Sequence, residues 1–206
     1  MKKLLVILAA LLCLNVSAFA EETAAQAPEA PAAEEAAPAQ EPADKGLFMK
    51  SLTDGDDNII AEAYMDELPD DSELIYDAEG SDDGMWTLDI EGVANIRIFI
   101  SQCMLKNAAG VSLADVQGEN LQQLTDMATV DYDDPVVEIL TTPSGNQYMH
   151  IYERDEELRS VCTMFTLYKG AVIELVQFND DFSPLTEHDH EVMEDVLYSI
   201  WIYEVK

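Results

Sequence analysis

From Met85 onward the chain alternates between apolar and polar positions. Trp86, Leu88 and Ile90 fall on one side of an extended segment and Thr87 and Asp89 on the other, the period of two that marks a half-buried strand. Glu91-Gly92-Val93-Ala94 reads as a turn. Asn95–Cys103 then alternates again, with Ile96, Ile98 and Ile100 on one face, so the two runs predict a β-hairpin. The period next changes to that of a helix. Ser112 stands as an N-cap with Asp115 three residues on, and Leu113, Val116, Leu121, Leu124 and Ala128 follow at helical spacing, predicting an amphipathic helix over 112–128.

Extended segments return after Pro135. Strands are expected at 136–141, 147–153, 158–168 and 171–179, separated by the turn Thr142-Pro143-Ser144-Gly145-Asn146, by Asp155-Glu156-Glu157 and by the tight pair Lys169-Gly170. Ser183-Pro184 is a helix start, with Ser at the cap and Pro at the first helical position. Glu187, Asp189 and Glu191 suit the positive end of that helix. Val192, Val196, Ile200 and Tyr203 recur along one face and predict a final helix of about five turns. Hairpin connections imply antiparallel pairing, and the apolar face of the sheet needs a covering layer. The expected fold is therefore α+β: an antiparallel sheet of about six strands sandwiched by helices, with the C-terminal helix packed on the sheet.

The segment 46–84 is less decided. Leu47–Leu52 and Asn58–Tyr64 read as short strands, or as a strand and a helical turn, and Leu74–Tyr76 as a further short strand, with acidic turns between them. Residues 21–45 are of another kind. They contain no aromatic or branched aliphatic side chain, and prolines at 28, 31, 38 and 42 interrupt any helix, so they read as a disordered linker. Ahead of it, Lys2 and Lys3, an apolar run from Leu4 to Leu14 and Ala18-Phe19-Ala20 have the form of a secretory signal peptide cleaved after Ala20. The run is short for a membrane anchor, and Leu11-Leu12 before Cys13 lacks the small residue of a lipoprotein site. The domains expected are thus a signal peptide at 1–20, a linker at 21–45 and one α+β domain at 46–206. The location expected is periplasmic or secreted.

The helix at 112–128, the meander from Val136 to Asn179, and the ending Leu197-Tyr198-Ser199-Ile200-Trp201 together resemble the PsbP-like superfamily, which includes extrinsic proteins of photosystem II, a Ran-binding import factor and small exported bacterial proteins. The resemblance covers residues 85–203 and is one of element order. It implies an antiparallel sheet between helical layers, in proteins that bind or assist assembly. No catalytic motif defines the superfamily, so it supplies no functional residues.

Charge narrows the function further. The 206 residues carry 42 Asp and Glu against 10 Lys and Arg, a formal net charge of −32. So few cations cannot neutralise a run of phosphates, which excludes a nucleic-acid partner, and they do not favour an anionic membrane surface. Once the leader is removed, no apolar run is long enough to insert in a membrane. No Ser or Cys sits in a nucleophile motif, and no enzyme is expected.

Three groups of residues are candidates for chemistry. Cys103 and Cys162 would close a loop of about 60 residues if bridged, worth roughly 4 kcal/mol in the chain-entropy model. They read equally as two separately buried thiols. Without a CxxC or an adjacent His they suggest no redox role. Asp54, Asp56 and Asn58 begin like a calcium loop, with oxygen ligands at positions 1, 3 and 5, although Ile59 and Met65 occupy the places of its Gly and Glu. Asp82 and Asp83 could add oxygens. Glu187-His188-Asp189-His190-Glu191 contains metal-binding residue types, but His188 and His190 at i and i+2 face different sides of a helix, so the segment reads as an exposed charged turn.

The last group is the face of the sheet opposite Ile96, Ile98 and Ile100, assigned Arg97, Phe99, Tyr148, His150, Tyr152, Cys162, Met164 and Glu174. Of these Arg97, Tyr148, His150, Tyr152 and Glu174 make a candidate groove for a small ligand or peptide, with Glu174 the natural partner of Arg97. The function expected is an exported, non-enzymatic binding or accessory protein of the bacterial envelope, with an unidentified protein or small-molecule partner and no cofactor. The alternative is a calcium-responsive binding protein that uses the acidic N-terminal loops.

Overall fold

The computed structural model describes residues 46–205, apart from 55, 67, 78–84 and 102–109. The expected signal peptide and linker, Asp82, Asp83 and Cys103 lie outside the described residues.

Among the described residues ten strands and two α-helices follow one another: β1 (Leu47–Thr53), β2 (Ile59–Met65), β3 (Ser72–Asp77), β4 (Met85–Ile90), β5 (Asn95–Ser101), α1 (Gly118–Ala128), β6 (Pro135–Thr141), β7 (Gln147–Glu153), β8 (Val161–Tyr168), β9 (Ala171–Phe178), α2 (Glu187–Ser199) and β10 (Ile200–Glu204). The fold is α+β and every strand pairing is antiparallel. The sheet count departs from expectation. The main sheet has seven strands in the order β3-β4-β5-β9-β8-β7-β6, and a second sheet of three has the order β1-β2-β10.

The second sheet explains two differences from the sequence reading. The segment 46–84 supplies three strands, of which β1 and β2 leave the main sheet. The last helix is also shorter than its apolar repeat suggested. It stops at Ser199, and Ile200–Glu204 pairs with β2 instead, Trp201 opposite Tyr64 and Tyr203 opposite Glu62. Ile-Trp-Ile-Tyr is a strand-forming run, and an open edge at β2 outweighs one more helical turn. The helix cap also lies later than Ser183, at Thr186. The helix expected over 112–128 is divided. A single 3-10 turn at Leu113–Asp115 precedes α1, which begins only at Gly118, where φ is +58°.

The Lys169-Gly170 hairpin forms as expected. Both residues have positive φ (49° and 98°), as a type I′ turn demands, and Tyr168 pairs directly with Ala171. This turn fixes the register of β8 on β9, and through it the two faces of the main sheet.

One face carries Leu88, Ile96, Ile98, Leu175, Met164, Cys162 and Tyr148. It packs with the small sheet and with Met193, Val196 and Leu197 of α2 in the larger core cluster. The other carries Met149, Ile151, Phe165, Leu167 and Val172 and packs with Leu113, Val116, Leu124 and Ala128. Each such side chain taken fully out of water contributes about 1.5–3 kcal/mol. Buried Asp189 ties α2 to the β4–β5 turn. Its carboxylate accepts from Thr186 N–H (2.7 Å), Thr186 Oγ1 (2.6 Å) and Ala94 N–H (2.8 Å). Gln177 Nε2 donates to the carbonyl of Asp189 at 2.7 Å. The orientation of α2 over strands β8 and β9 is therefore set by hydrogen bonds as well as by apolar contact.

Candidate metal centre

In an antiparallel sheet, residues directly opposite one another share a face. Register therefore decides which of the candidate residues meet. One row across the sheet runs Glu138, His150, Met164, Leu175, Ile98. The next row on the same face runs Val136, Tyr152, Cys162, Gln177, Ile96. Arg97 stands opposite Val176 and Glu174 opposite Phe99 and Phe165, in rows of the other parity. The expected groove is thus divided. Tyr148, His150, Tyr152 and Cys162 share the face of Ile96, Ile98 and Ile100, whereas Arg97 and Glu174 lie on the reverse face.

Nor does Glu174 pair with Arg97. Among the described residues no ion pair joins them. The Arg97 guanidinium lies over the Phe178 ring at 4.5 Å, while Nε of Arg97 and Oε1 of Glu174 are buried without hydrogen-bond partners. Alternation gives the phase within a strand, and the phase between strands depends on register. Tyr148 is also unavailable to a ligand, since it is fully buried in the larger core cluster.

What the register brings together is a different set. His150 on β7 and Cys162 on β8 are diagonal neighbours, and His150 Nε2 lies 3.0 Å from Cys162 Sγ. α2 crosses above them and turns His190 toward the sheet. A ring nitrogen of each histidine and the cysteine sulfur all lie within 4.8 Å of one another. Nε2 of His190 is buried with no hydrogen-bond partner, and so is Nδ1 of His150. His188 behaves as the helix geometry requires. It points outward, with Nδ1 3.9 Å from Glu191 on the surface. His188 and His190 thus face different sides of α2, and the partners of His190 come from the sheet.

Aromatic and charged groups enclose the cluster. The Tyr152 ring sits 4.7 Å from that of His150 and 5.6 Å from that of His190, centroid to centroid, and Arg159 lies over Tyr152 at 4.7 Å. Arg159 is itself anchored by donating from Nε to the Glu153 carbonyl at 2.9 Å. On the far side of the His150 ring, Glu138 Oε2 lies 3.8 Å from Nδ1. The field of the same carboxylate helps to raise the Tyr152 hydroxyl, after burial, which is the larger cause.

These surroundings fix the protonation states. Burial pushes the His150 imidazole down to about 4, with His190 and Arg159 acting in the same direction. Burial and Arg159 also lower His190. Burial raises the Cys162 thiol, and the field of Glu194 adds to it, against the pull of Arg159. At neutral pH the cluster therefore holds two neutral imidazoles and a thiol. Nε2 of His150 and Sγ of Cys162 share a hydrogen bond whose direction is set by the imidazole tautomer. A fully buried thiol held protonated is a poor nucleophile, so the pair is not arranged for covalent catalysis. Two imidazoles and a sulfur are, however, a donor set for zinc, cobalt or copper once the thiol proton leaves. A metal bonding nitrogen at about 2.0–2.1 Å and sulfur at about 2.3 Å holds its ligands less than about 4 Å apart, so side-chain movements of roughly 1 Å close the present arrangement.

The acidic hairpin between β1 and β2 is different. Oδ1 of Asp54 accepts from the backbone N–H groups of Asp56 (2.9 Å) and Asn58 (3.0 Å), and Asn58 Nδ2 donates to both oxygens of Asp54. These bonds hold the Asp54 carboxyl below its ordinary range, with the Asn58 side chain the largest cause. They also make the aspartate a turn-former whose oxygens face protein donors.

Cys162 carries a free thiol, and Cys103, its candidate partner in one of the two readings, lies outside the described residues. No helix among the described residues is long and apolar enough to cross a membrane. Sequence reading treated Cys162 as a disulfide or core residue with no His beside it, and set His190 aside. One signal was present, the i, i+4 pair His190 and Glu194 on a helix. Comparison of the chain with protein-family models, curated proteins and solved structures found no match.

Proposed function

We propose that this chain is an exported, non-enzymatic metal-binding accessory protein that holds a zinc-class ion between His150, Cys162 and His190. The observation that carries the reading is the convergence of buried His150 and Cys162 with half-buried His190, from β7, β8 and α2, the two histidines kept neutral and Nε2 of His190 without a protein partner. The Glu138 carboxylate stands 3.8 Å from Nδ1 of His150, on the side where metal-bound histidines usually have an outer partner. Export is inferred from the signal-like first twenty residues. The accessory role is inferred from the resemblance of the element order over residues 85–203 to PsbP-like proteins. Bound metal would join the helix layer to the sheet, so occupancy would set how firmly α2 is held.

A copper reading has one observation in its favour. Met164 stands directly opposite His150 and Met193 lies one turn beyond His190, both fully buried, and thioethers suit copper(I). The calcium reading of Asp54, Asp56 and Asn58 gains nothing from the geometry of that turn.

Competition titration of the reduced chain against a chromophoric chelator tests all three. The expected result is one zinc ion bound per chain, lost in Cys162→Ser and in His190→Ala and retained in the Asp54→Asn, Asp56→Asn double variant. Saturable calcium binding that the double variant removes, with no zinc binding, would favour the calcium reading. Copper(I) bound much more tightly than its ordinary advantage over zinc, and weakened in Met164→Leu, would favour the copper one.

A further inference from the structure

We propose that Glu194 is the fourth ligand of this centre, swinging from the underside of α2 to complete a set of two imidazole nitrogens, one thiolate and one carboxylate oxygen. The inference rests on the metal reading above and specifies its coordination. His190 and Glu194 are four residues apart, so their side chains lie one turn apart on the same face of the helix. That face is the inward one. Glu187, Glu191 and Asp195 are exposed, whereas Glu194 is half-buried beside Met193 and Leu197, which face the sheet. Among the described residues Glu194 makes no hydrogen bond or ion pair, so ligation would break no existing contact. Its carboxylate is not among the atoms that lie within 4.8 Å of one another, so a change of rotamer is needed to bring it to the ion, and its charge bears on Cys162 and on Glu138.

Glu138 cannot take the same role. The His150 ring stands between it and the sulfur, with Nδ1 toward Glu138 and Nε2 toward Cys162. The two acids therefore divide the work: Glu194 ligates and Glu138 orients His150 from behind. Charge balance agrees. A thiolate and a carboxylate together neutralise a divalent ion, and a buried centre with no net charge avoids the cost of an unpaired charge in the core. A four-coordinate site with a hard oxygen suits zinc and cobalt(II), and makes the centre a closed, structural one in which no position is left for a substrate.

The test compares the purified reduced chain with Glu194→Ala, Glu194→Gln, Glu138→Gln and Cys162→Ser, reading zinc affinity by competition and coordination number from the cobalt(II) d–d absorption. An outer-shell carboxylate is worth about 10–100-fold in affinity, so Glu138→Gln should lose about that factor and keep the intense four-coordinate cobalt spectrum. Glu194→Ala should lose more than about 100-fold, and its cobalt spectrum should change in intensity and position. Glu194→Gln, of nearly the same shape, controls for folding and should also weaken binding. If the Glu194 variants keep wild-type affinity and cobalt spectrum while Cys162→Ser abolishes both, Glu194 is not a ligand and the three-donor centre stands alone. If Cys162→Ser also leaves binding intact, the centre itself is refuted.

Discussion

Glu174 is a buried carboxyl whose proton makes stability depend on pH. It lies between Phe99 and Phe165 on the reverse face of the sheet, is 5% exposed, and has one carboxyl oxygen buried without a partner. Burial pushes its carboxyl up to about 8 from an ordinary 4.5. The folded chain therefore keeps this proton through a range in which the unfolded chain has released it. The native state binds more protons between the two values, so stability falls as pH rises from about 4.5 to about 8. The contribution is on the order of 4 kcal/mol across that window. Urea denaturation of wild type and Glu174→Gln at pH 5 and pH 8 should show the variant relatively more stable at the higher pH. Equal differences at both would contradict the assignment. The residue scale was also where the sequence was least legible. The chemistry of His150, Tyr152 and Cys162 could be suspected from their types, but their partners depend on strand register, and Arg97 and Glu174 were joined to them on the wrong face. His190 was set aside because its neighbour His188 points outward, and its true neighbours are some 30–40 residues away in sequence.

At the scale of elements, α2 is the piece on which the proposed centre depends, because among the three clustered donors it brings His190 over the sheet. Its N-terminus is held by Asp189, which satisfies Thr186 and also binds the backbone of Ala94 in the β4–β5 turn. Asp189→Ala removes a helix cap and leaves the Ala94 N–H unpaired. The expected loss is about 2–4 kcal/mol, measured by urea denaturation in chelator so that metal plays no part. A loss below about 0.5 kcal/mol would mean that apolar packing alone seats the helix. Most elements from β4 to β9 were legible because alternation and turn chemistry agree there: the Lys169-Gly170 hairpin is local, and its residues specify it. The exceptions share a cause. Ile200–Glu204 carries a helix-compatible apolar repeat, yet it becomes a strand because β2, more than 130 residues earlier, offers an edge. Leu113–Ala128 has one apolar repeat, but the chain bends at Gly118 to lay both of its parts on the sheet.

For the whole molecule, two long-range effects act on stability. The net charge of −32 is self-repelling, so ordinary salt should raise the melting temperature, and magnesium and calcium should act alike once ionic strength is matched. Zinc should act beyond screening. An ion that binds only the folded state adds about 2.7 kcal/mol at a hundredfold excess over its dissociation constant, and here it would tie α2, and through it β10 and the small sheet, to the seven-stranded sheet. Zinc that shifted the melt no further than magnesium at equal ionic strength would contradict that coupling. The most direct test of the central claim is X-ray absorption at the zinc edge on a one-to-one complex of the reduced chain. The account predicts one sulfur at about 2.3 Å and nitrogen or oxygen donors at about 2.0–2.1 Å, two of them with the outer-shell pattern of imidazole. A shell of oxygens alone, with no sulfur, would place the metal among the surface acids and contradict the account.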